Sequence, residues 1–218
     1  MGKNKSKMKS LEAYELIRDK ILFGDKLPGT RLVLADLENE LGIGRGPIRE
    51  AIMRLDRSGL IKNMPYKGAI VATPPKRKEI EHIYEIRIGF EITLALAAMD
   101  ILKKKDFSKL EKLNAQMLEN ADVYYSLDRQ FHDAIYQTSG LPHLCDIVQK
   151  LVLPVEAFLN INRQEVDDGK VLFREHQQII DGLKNKDSET LKSALSANIK
   201  SGLVVIERTL DTTMRFRS

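Results

Sequence analysis

The chain has one cysteine, Cys145, so it can form no internal disulfide. The expected role of Cys145 is a small core residue in a reducing cytoplasm. No Cys/His pair is spaced for nucleophilic catalysis. No run of 18 or more apolar residues occurs, so no membrane-spanning helix is expected. The first ten residues, MGKNKSKMKS, are basic, but no apolar stretch follows them, and a secretory leader is not expected. There is no internal repeat, and beyond residue 76 there is no convincing alternation of apolar and polar residues. What remains is an ordinary globular composition, 43% hydrophobic and 30% charged over 218 residues, enough for one large domain or two small ones.

Charge is unevenly placed. Residues 1–75 carry 14 Lys and Arg against 9 Asp and Glu; residues 76–218 carry 21 against 22. The first third is basic and the rest is near neutral, as expected of a phosphate-facing module joined to a module with another task. A basic amino-terminal region that is only solvated would look the same on this criterion alone.

Residues 1–10 lack periodicity and are expected to form a disordered basic arm. A first helix is predicted from Ser10 to Phe23, with Leu11, Tyr14, Ile17, Ile21 and Leu22 inward, Ser10 as cap and Gly24 as stop. A second, about Val33 to Leu41, ends at Gly42. A third starts at Pro47 and ends at Gly59, burying Ile48, Ala51, Ile52 and Leu55. Leu60–Met64 and Ala69–Thr73 read as short strands around Pro65-Tyr66-Lys67-Gly68. The order defines a helix-turn-helix with a β wing over residues 11–73. Residues 74–75, the end of Thr73-Pro74-Pro75, form a stiff linker.

In a helix-turn-helix the second helix enters the major groove with its amino-terminal residues against base edges. Here that end reads Gly44-Arg45-Gly46-Pro47-Ile48-Arg49. Gly46 lets backbone approach a phosphate, and the helix start favours an anion. Arg45 and Arg49, four apart, have the side chain that pairs bidentately with guanine. In isolation they are equally the arginines of a solvated helix; the preceding helix, turn and wing favour the groove. Arg54 is expected at phosphate or in an intramolecular pair, and Lys67 at the wing tip beside Gly68 to reach the duplex.

These residues resemble the winged-helix domain of the GntR family of bacterial regulators. The run Leu41-Gly42-Ile43-Gly44-Arg45-Gly46-Pro47-Ile48-Arg49-Glu50-Ala51-Ile52-Met53-Arg54-Leu55, followed by Ser58-Gly59-Leu60-Ile61, is similar to that family's helix-turn-helix pattern, and Leu27-Pro28-Gly29-Thr30-Arg31-Leu32 to its lead-in. Gly44 and Gly46 depart from it, standing where hydroxyl residues are usual. The resemblance implies that Arg45 and Arg49 read DNA and that Gly68 is the wing glycine.

From residue 76 onward everything reads as helix, in segments of about 76–104, 106–120, 121–139, 141–161, 170–185 and 187–210. The fold class expected is therefore mainly α: a winged helix-turn-helix domain followed by an all-α bundle of six to seven helices over residues 76–218. Asp128 and His132 share a helix face, with Tyr125, Ile135 and Tyr136 continuing it. His176 lies on the inner face of a later helix and Asn198 on that of the last. A carboxylate, two imidazoles and an amide from three helices are a donor set for a first-row divalent metal. Hydrogen-bonded core histidines, or a simple Asp128–His132 pair, are the plainer alternatives. Arg87 lies on or beside the inner stripe one turn before Glu91, which would satisfy its charge.

The second region resembles the FCD sensor domain of the FadR-like subgroup of GntR regulators. The resemblance rests on Leu127-Asp128-Arg129-Gln130-Phe131-His132, Thr138-Ser139-Gly140, Glu175-His176 and Ile83-Tyr84-Glu85-Ile86-Arg87. It implies a metal held at Asp128, His132 and His176, with Asn198 where a third histidine is usual; the ions considered are Zn, Ni and Mn. It also implies an effector site for a small organic acid, to which Arg87 and Tyr125 are assigned. The expectation is a cytoplasmic bacterial homodimer that binds a palindromic operator in double-stranded DNA with effector-controlled affinity, and that is neither an enzyme nor a membrane protein. The alternatives are a metal-dependent hydrolase carrying a DNA-binding domain and a ligand-free architectural DNA-binding protein.

Overall fold

A computed structural model describes residues 2–64, 68–73, 75–119, 124–159 and 169–215. The chain divides into two compact units, residues 1–75 with 152–161, and residues 76–151 with 162–218.

In the first unit, α1 (Gly2–Leu22), β1 (Arg31–Leu32), α2 (Leu34–Leu41), α3 (Arg45–Arg57), β2 (Ile61–Met64) and β3 (Gly68–Val71) follow in order. Ala13, Ile17 and Ile21 of α1 and Ile48, Ala51, Ile52 and Leu55 of α3 are buried in one core, which also takes in Leu37, Leu60, Val71 and Leu153. The four inward residues of α3 are those its periodicity predicts. The inward face of α1 differs. Leu11 is exposed, because six residues before Ile17 is roughly two-thirds of a turn round from it; Ala13 takes its place.

Other boundaries move for physical reasons. α1 reaches back to Gly2, so the stretch expected as an arm without regular structure has a helical backbone. Lys and Met are good helix formers, and extending an existing helix costs less than nucleating one. α3 begins at Arg45 rather than Pro47, with Gly44 as an extended cap. Proline is tolerated in the first turn because its missing N–H would have had no helical acceptor there. The wing is a three-stranded antiparallel sheet in the order β1-β3-β2, with Arg31 opposite Ile70 and Met64 opposite Gly68. The two-residue β1 is too short to show alternation.

The second unit holds α4 (Arg77–Met99), α5 (Lys104–Glu119), α6 (Tyr124–Tyr136), a 3-10 turn (Gln137–Ser139), most of α7 (Pro142–Leu159), α8 (Gly169–Asn185) and α9 (Ser188–Arg215). Its interior is built from Leu94, Leu110, Phe131, Ile135, Ile179, Leu183, Leu191 and Leu195, all buried. The corner between α8 and α9 is tight: a Cβ on Gly182 would lie 2.9 Å from the Leu191 nitrogen. Asp187 closes it by accepting from the Glu189 and Thr190 amides, both at 3.1 Å. Among the described residues, no helix is long and apolar enough to cross a membrane.

Candidate functional site

Two sets of polar residues stand out, one in each unit. On α3, Arg45 and Arg49 are both exposed. Arg45 Nε donates to Glu38 Oε2 of α2 at 2.8 Å. Gly44 and Gly46 have ordinary backbone angles, and a Cβ on either would meet nothing within 4 Å among the described residues. Nothing in this unit therefore requires those two glycines, and the bare first turn of α3 faces outward. Arg54 lies with its guanidinium 4.8 Å from the centre of the Tyr14 ring, a stacking contact with α1. Gly68 has an internal cause: its φ is 84°, and a Cβ there would lie 2.5 Å from the Leu32 carbonyl oxygen. Lys67 lies outside the described residues.

In the second unit, α6 and α8 bring Asp128, His132 and His176 together, with one potential ligand atom from each lying within 4.8 Å of the other two. His176 Nε2 is 3.1 Å from Asp128 Oδ1, and His132 Nε2 is 3.8 Å from the same oxygen. His176 is fully buried, and its Nδ1 has no partner among the described residues. The Phe131 ring packs against both imidazoles, 5.4 Å from His132 and 4.5 Å from His176. Tyr124 donates its hydroxyl to Asp128 at 3.4 Å.

Behind His132 runs a chain of hydrogen bonds. Tyr136 donates to Glu91 Oε2 at 2.7 Å, and Arg87 Nε donates to Glu91 Oε1 at 2.7 Å. Arg87 also lies over the Tyr84 ring at 4.5 Å. His132 Nδ1 is 3.1 Å from the Tyr136 hydroxyl. Tyr136 has one proton, and Glu91 takes it. Burial first, then the Glu91 carboxylate, holds that phenol well above its usual range, so it stays protonated. The hydroxyl oxygen must therefore accept from His132 Nδ1–H. Burial, the largest influence, also holds the His132 imidazole below its usual range, so the ring is neutral. Its Nε2 is then an unprotonated acceptor.

That acceptor faces a carboxylate. Burial alone would raise Asp128, but the hydrogen bond from His176, with the nearby Arg87 charge in support, outweighs it and holds the acid below its usual range. His132 Nε2 and Asp128 Oδ1 lie 3.8 Å apart, beyond hydrogen-bond distance, while the same oxygen accepts from Tyr124 and His176. A divalent cation would take the place of the proton that His176 Nε2 gives to Asp128, with three ligand atoms within 4.8 Å of one another to hold it. Ligands of one tetrahedral ion lie on the order of 3–4 Å apart, close to the spacings here. The residues fit the group.

Asn198 is buried, its Nδ2 lying 3.5 Å from His176 Nε2 and donating to Glu175 Oε2 at 3.2 Å. Ser201 donates to Glu175 Oε1 at 2.7 Å. The side chain of Tyr125 lies outside those described. Glu91, weighed in the sequence only as a partner for Arg87, proves also to hold Tyr136. Tyr124 carried no signal of its own, and Glu175 entered only through the Glu175-His176 pair, with nothing in the sequence to tie it to Asn198.

Residues 9–71 match the bacterial regulatory proteins of the gntR family, and residues 82–201 match the FCD domain. The HTH-type transcriptional regulator McbR of Escherichia coli (strain K12) is 25% identical over 214 residues, covering 94% of this chain and 96% of its own. The HTH-type transcriptional regulator YdhC of Bacillus subtilis (strain 168) is 26% identical over 197 residues, covering 86% of each. The solved E. coli McbR/YncC structure superposes with a TM-score of 0.83 at 21% identity, over 93% of this chain and 98% of that one. A helix-turn-helix with a wing, followed by a helical domain of this kind, defines a transcription regulator rather than an enzyme. The chain belongs to the GntR family of such regulators and carries an FCD domain.

Proposed function

We propose that this regulator binds a palindromic operator as a homodimer, reading bases with Arg45 and Arg49, and that its affinity for DNA is set by a small acid bound beside a divalent metal in the helical domain. The DNA reading is supported by two exposed arginines on a bare, outward-facing helix start, where anions are favoured. Gly46 brings backbone to the same surface, Gly68 opens the last strand of the wing, and Lys67, its neighbour in sequence, is assigned to reach the duplex. Arg54, stacked on Tyr14, orients α3 rather than reading bases. A two-fold protein implies a two-fold operator. A DNA target of this kind lies in the bacterial cytoplasm.

One observation carries the metal reading: Asp128, His132 and His176, from two helices, each bring one potential ligand atom within 4.8 Å of the other two. Asp128, His132 and His176 would hold the ion, with Zn, Ni and Mn compatible with that donor set. When bound, the ion supplies a positive centre to which an acid's oxygen can attach. The chain's own residues do the rest. Tyr136 fixes the His132 tautomer, Glu91 fixes Tyr136, and Arg87 neutralises Glu91. Such outer-shell partners raise ligand basicity and hold ring orientation. Arg87 sits at the far end of the same chain, where an acid's carboxylate can compete with Glu91 for its guanidinium; Tyr125 is placed on the helix that supplies Asp128 and His132.

The test is twofold. Duplexes selected from a random pool by the purified chain should share a palindromic sequence, and the Arg49→Ala variant should lose that preference. Zinc measured by elemental analysis should remain on the dialysed wild type and be absent from His132→Ala. Failure to enrich any sequence overturns the DNA reading, and equal zinc on both proteins overturns the metal reading.

A further inference from the structure

Asn198 adjoins the Asp128–His132–His176 cluster at His176, and an asparagine has two chemically opposite edges. Its amide oxygen can bind a cation; its NH2 cannot. Glu175 decides which edge faces the cluster. The Glu175 carboxylate only accepts hydrogen bonds, and its Oε2 lies 3.2 Å from Asn198 Nδ2. Turning the amide over would set Oδ1 against that carboxylate, oxygen to oxygen. Glu175 is itself anchored, because its other oxygen accepts from Ser201 Oγ at 2.7 Å. The result is an NH2 group 3.5 Å from His176 Nε2, with one hydrogen committed to Glu175 and the other on the side of the cluster.

We propose that Asn198 is not a ligand of the metal but a specificity-determining donor: held by Glu175, it recognises an oxygen of the acidic ligand that binds beside an ion carried by Asp128, His132 and His176 alone. The proposal rests on the metal reading above and adds to it the role of the fourth side chain. Three protein ligands leave the ion positions for an exogenous group, as in sites built to bind a further ligand rather than to stabilise a fold. The donor edge then selects what occupies them. An oxyanion such as a carboxylate accepts from it; an amine or a cationic group does not. Arg87 is already engaged by Glu91, so a second donor beside the ion adds recognition that the guanidinium does not supply by itself. Glu175 and His176 are neighbours on α8, and Asn198 and Ser201 are one turn apart on α9, so the seam between those two helices sets the orientation.

The experiment uses the full chain. Zinc affinity is measured by competition with a colorimetric chelator for wild type, Asn198→Ala, Asn198→His and His132→Ala. Acetate is then titrated into cobalt-loaded wild type and Asn198→Ala, with the visible spectrum of the ion as readout. Zinc binding by Asn198→Ala within threefold of wild type is expected, against a loss of a hundredfold or more in His132→Ala. Asn198→His should bind zinc at least tenfold more tightly, because Glu175 would then orient an imidazole ligand; this gain cannot come from misfolding. Acetate should bind Asn198→Ala about tenfold more weakly, the scale of one charge-assisted hydrogen bond. If Asn198→Ala loses zinc as His132→Ala does, the amide is a ligand and the proposal fails while the metal reading stands. Equal acetate affinity for the two proteins, or no gain in Asn198→His, also overturns it. If wild type takes up no zinc, or His132→Ala binds it as well as wild type, the metal reading fails and this proposal fails with it.

Discussion

The two candidate sites place charge in opposite ways. On α3 the arginines are exposed, and Arg45 is held by a surface partner, Glu38, with its own side chain 66% open to solvent. At the candidate site of the helical unit the ionic pair is interior, with the Arg87 side chain 13% and that of Glu91 2% exposed. A surface pair contributes little to stability and remains available to an incoming partner. An interior pair is costly to break, because the group left behind is desolvated. The first arrangement suits reading an external polyanion. The second suits holding a small site in one geometry, where a cation or an acid changes the balance of a closed network.

That contrast is open to direct attack. The largest effect is expected from Glu91→Ala, which takes the carboxylate from both Arg87 and Tyr136. It should destabilise the chain by about 3–5 kcal/mol in urea unfolding. Arg49→Ala should change stability by less than about 0.5 kcal/mol. Comparable losses in the two variants would erase the distinction. In DNA binding the order reverses. Arg49→Ala should cost about 1–3 kcal/mol on a selected duplex and relax the preference for particular bases. A uniform loss on all duplexes with a shallower salt dependence would instead mark Arg49 as a phosphate contact.

A finer prediction concerns Tyr136→Phe, which preserves the ring and removes the acceptor for His132 Nδ1–H. Zinc affinity should fall about tenfold, the effect typical of losing an outer-shell partner; an unchanged affinity would show that the chain behind His132 does not tune it. The smallest effect is that of pH. His132 is held below the usual imidazole value of 6.5 in the folded chain. Below that value the unfolded chain takes up a proton that the folded chain refuses, so metal-free protein should lose stability as pH falls from 6.5 toward the folded value. Asp128 acts in the same direction further down, its contribution present above the usual carboxylate value and lost as pH falls below it. Urea midpoints across this range should fall with acid, and the fall should be shallower in His132→Ala.

The parts legible in the sequence were those that depend on near neighbours. The inward face of α3 follows from spacing alone, and Asp128 and His132, four apart on α6, announce a shared face. Gly42 was legible as a helix stop, and it adopts φ 65° there. Leu11 misled because several phases of an apolar run satisfy the same count, and the packing partner decides among them. The link from Glu91 to Tyr136 joins residues 45 apart on two helices, so no local pattern carries it. The direction of the Asn198 amide is equally silent, since its two edges are one letter in the sequence and only Glu175 tells them apart.

The central claim is that what binds in the helical domain governs what α3 does on DNA. Fluorescence anisotropy of the full chain on a selected palindromic duplex, with zinc and acetate present and then with a chelator, tests it most directly. A change in affinity of at least about threefold in wild type, absent in His132→Ala, is the expected result. Identical binding curves for both proteins under every condition would contradict it.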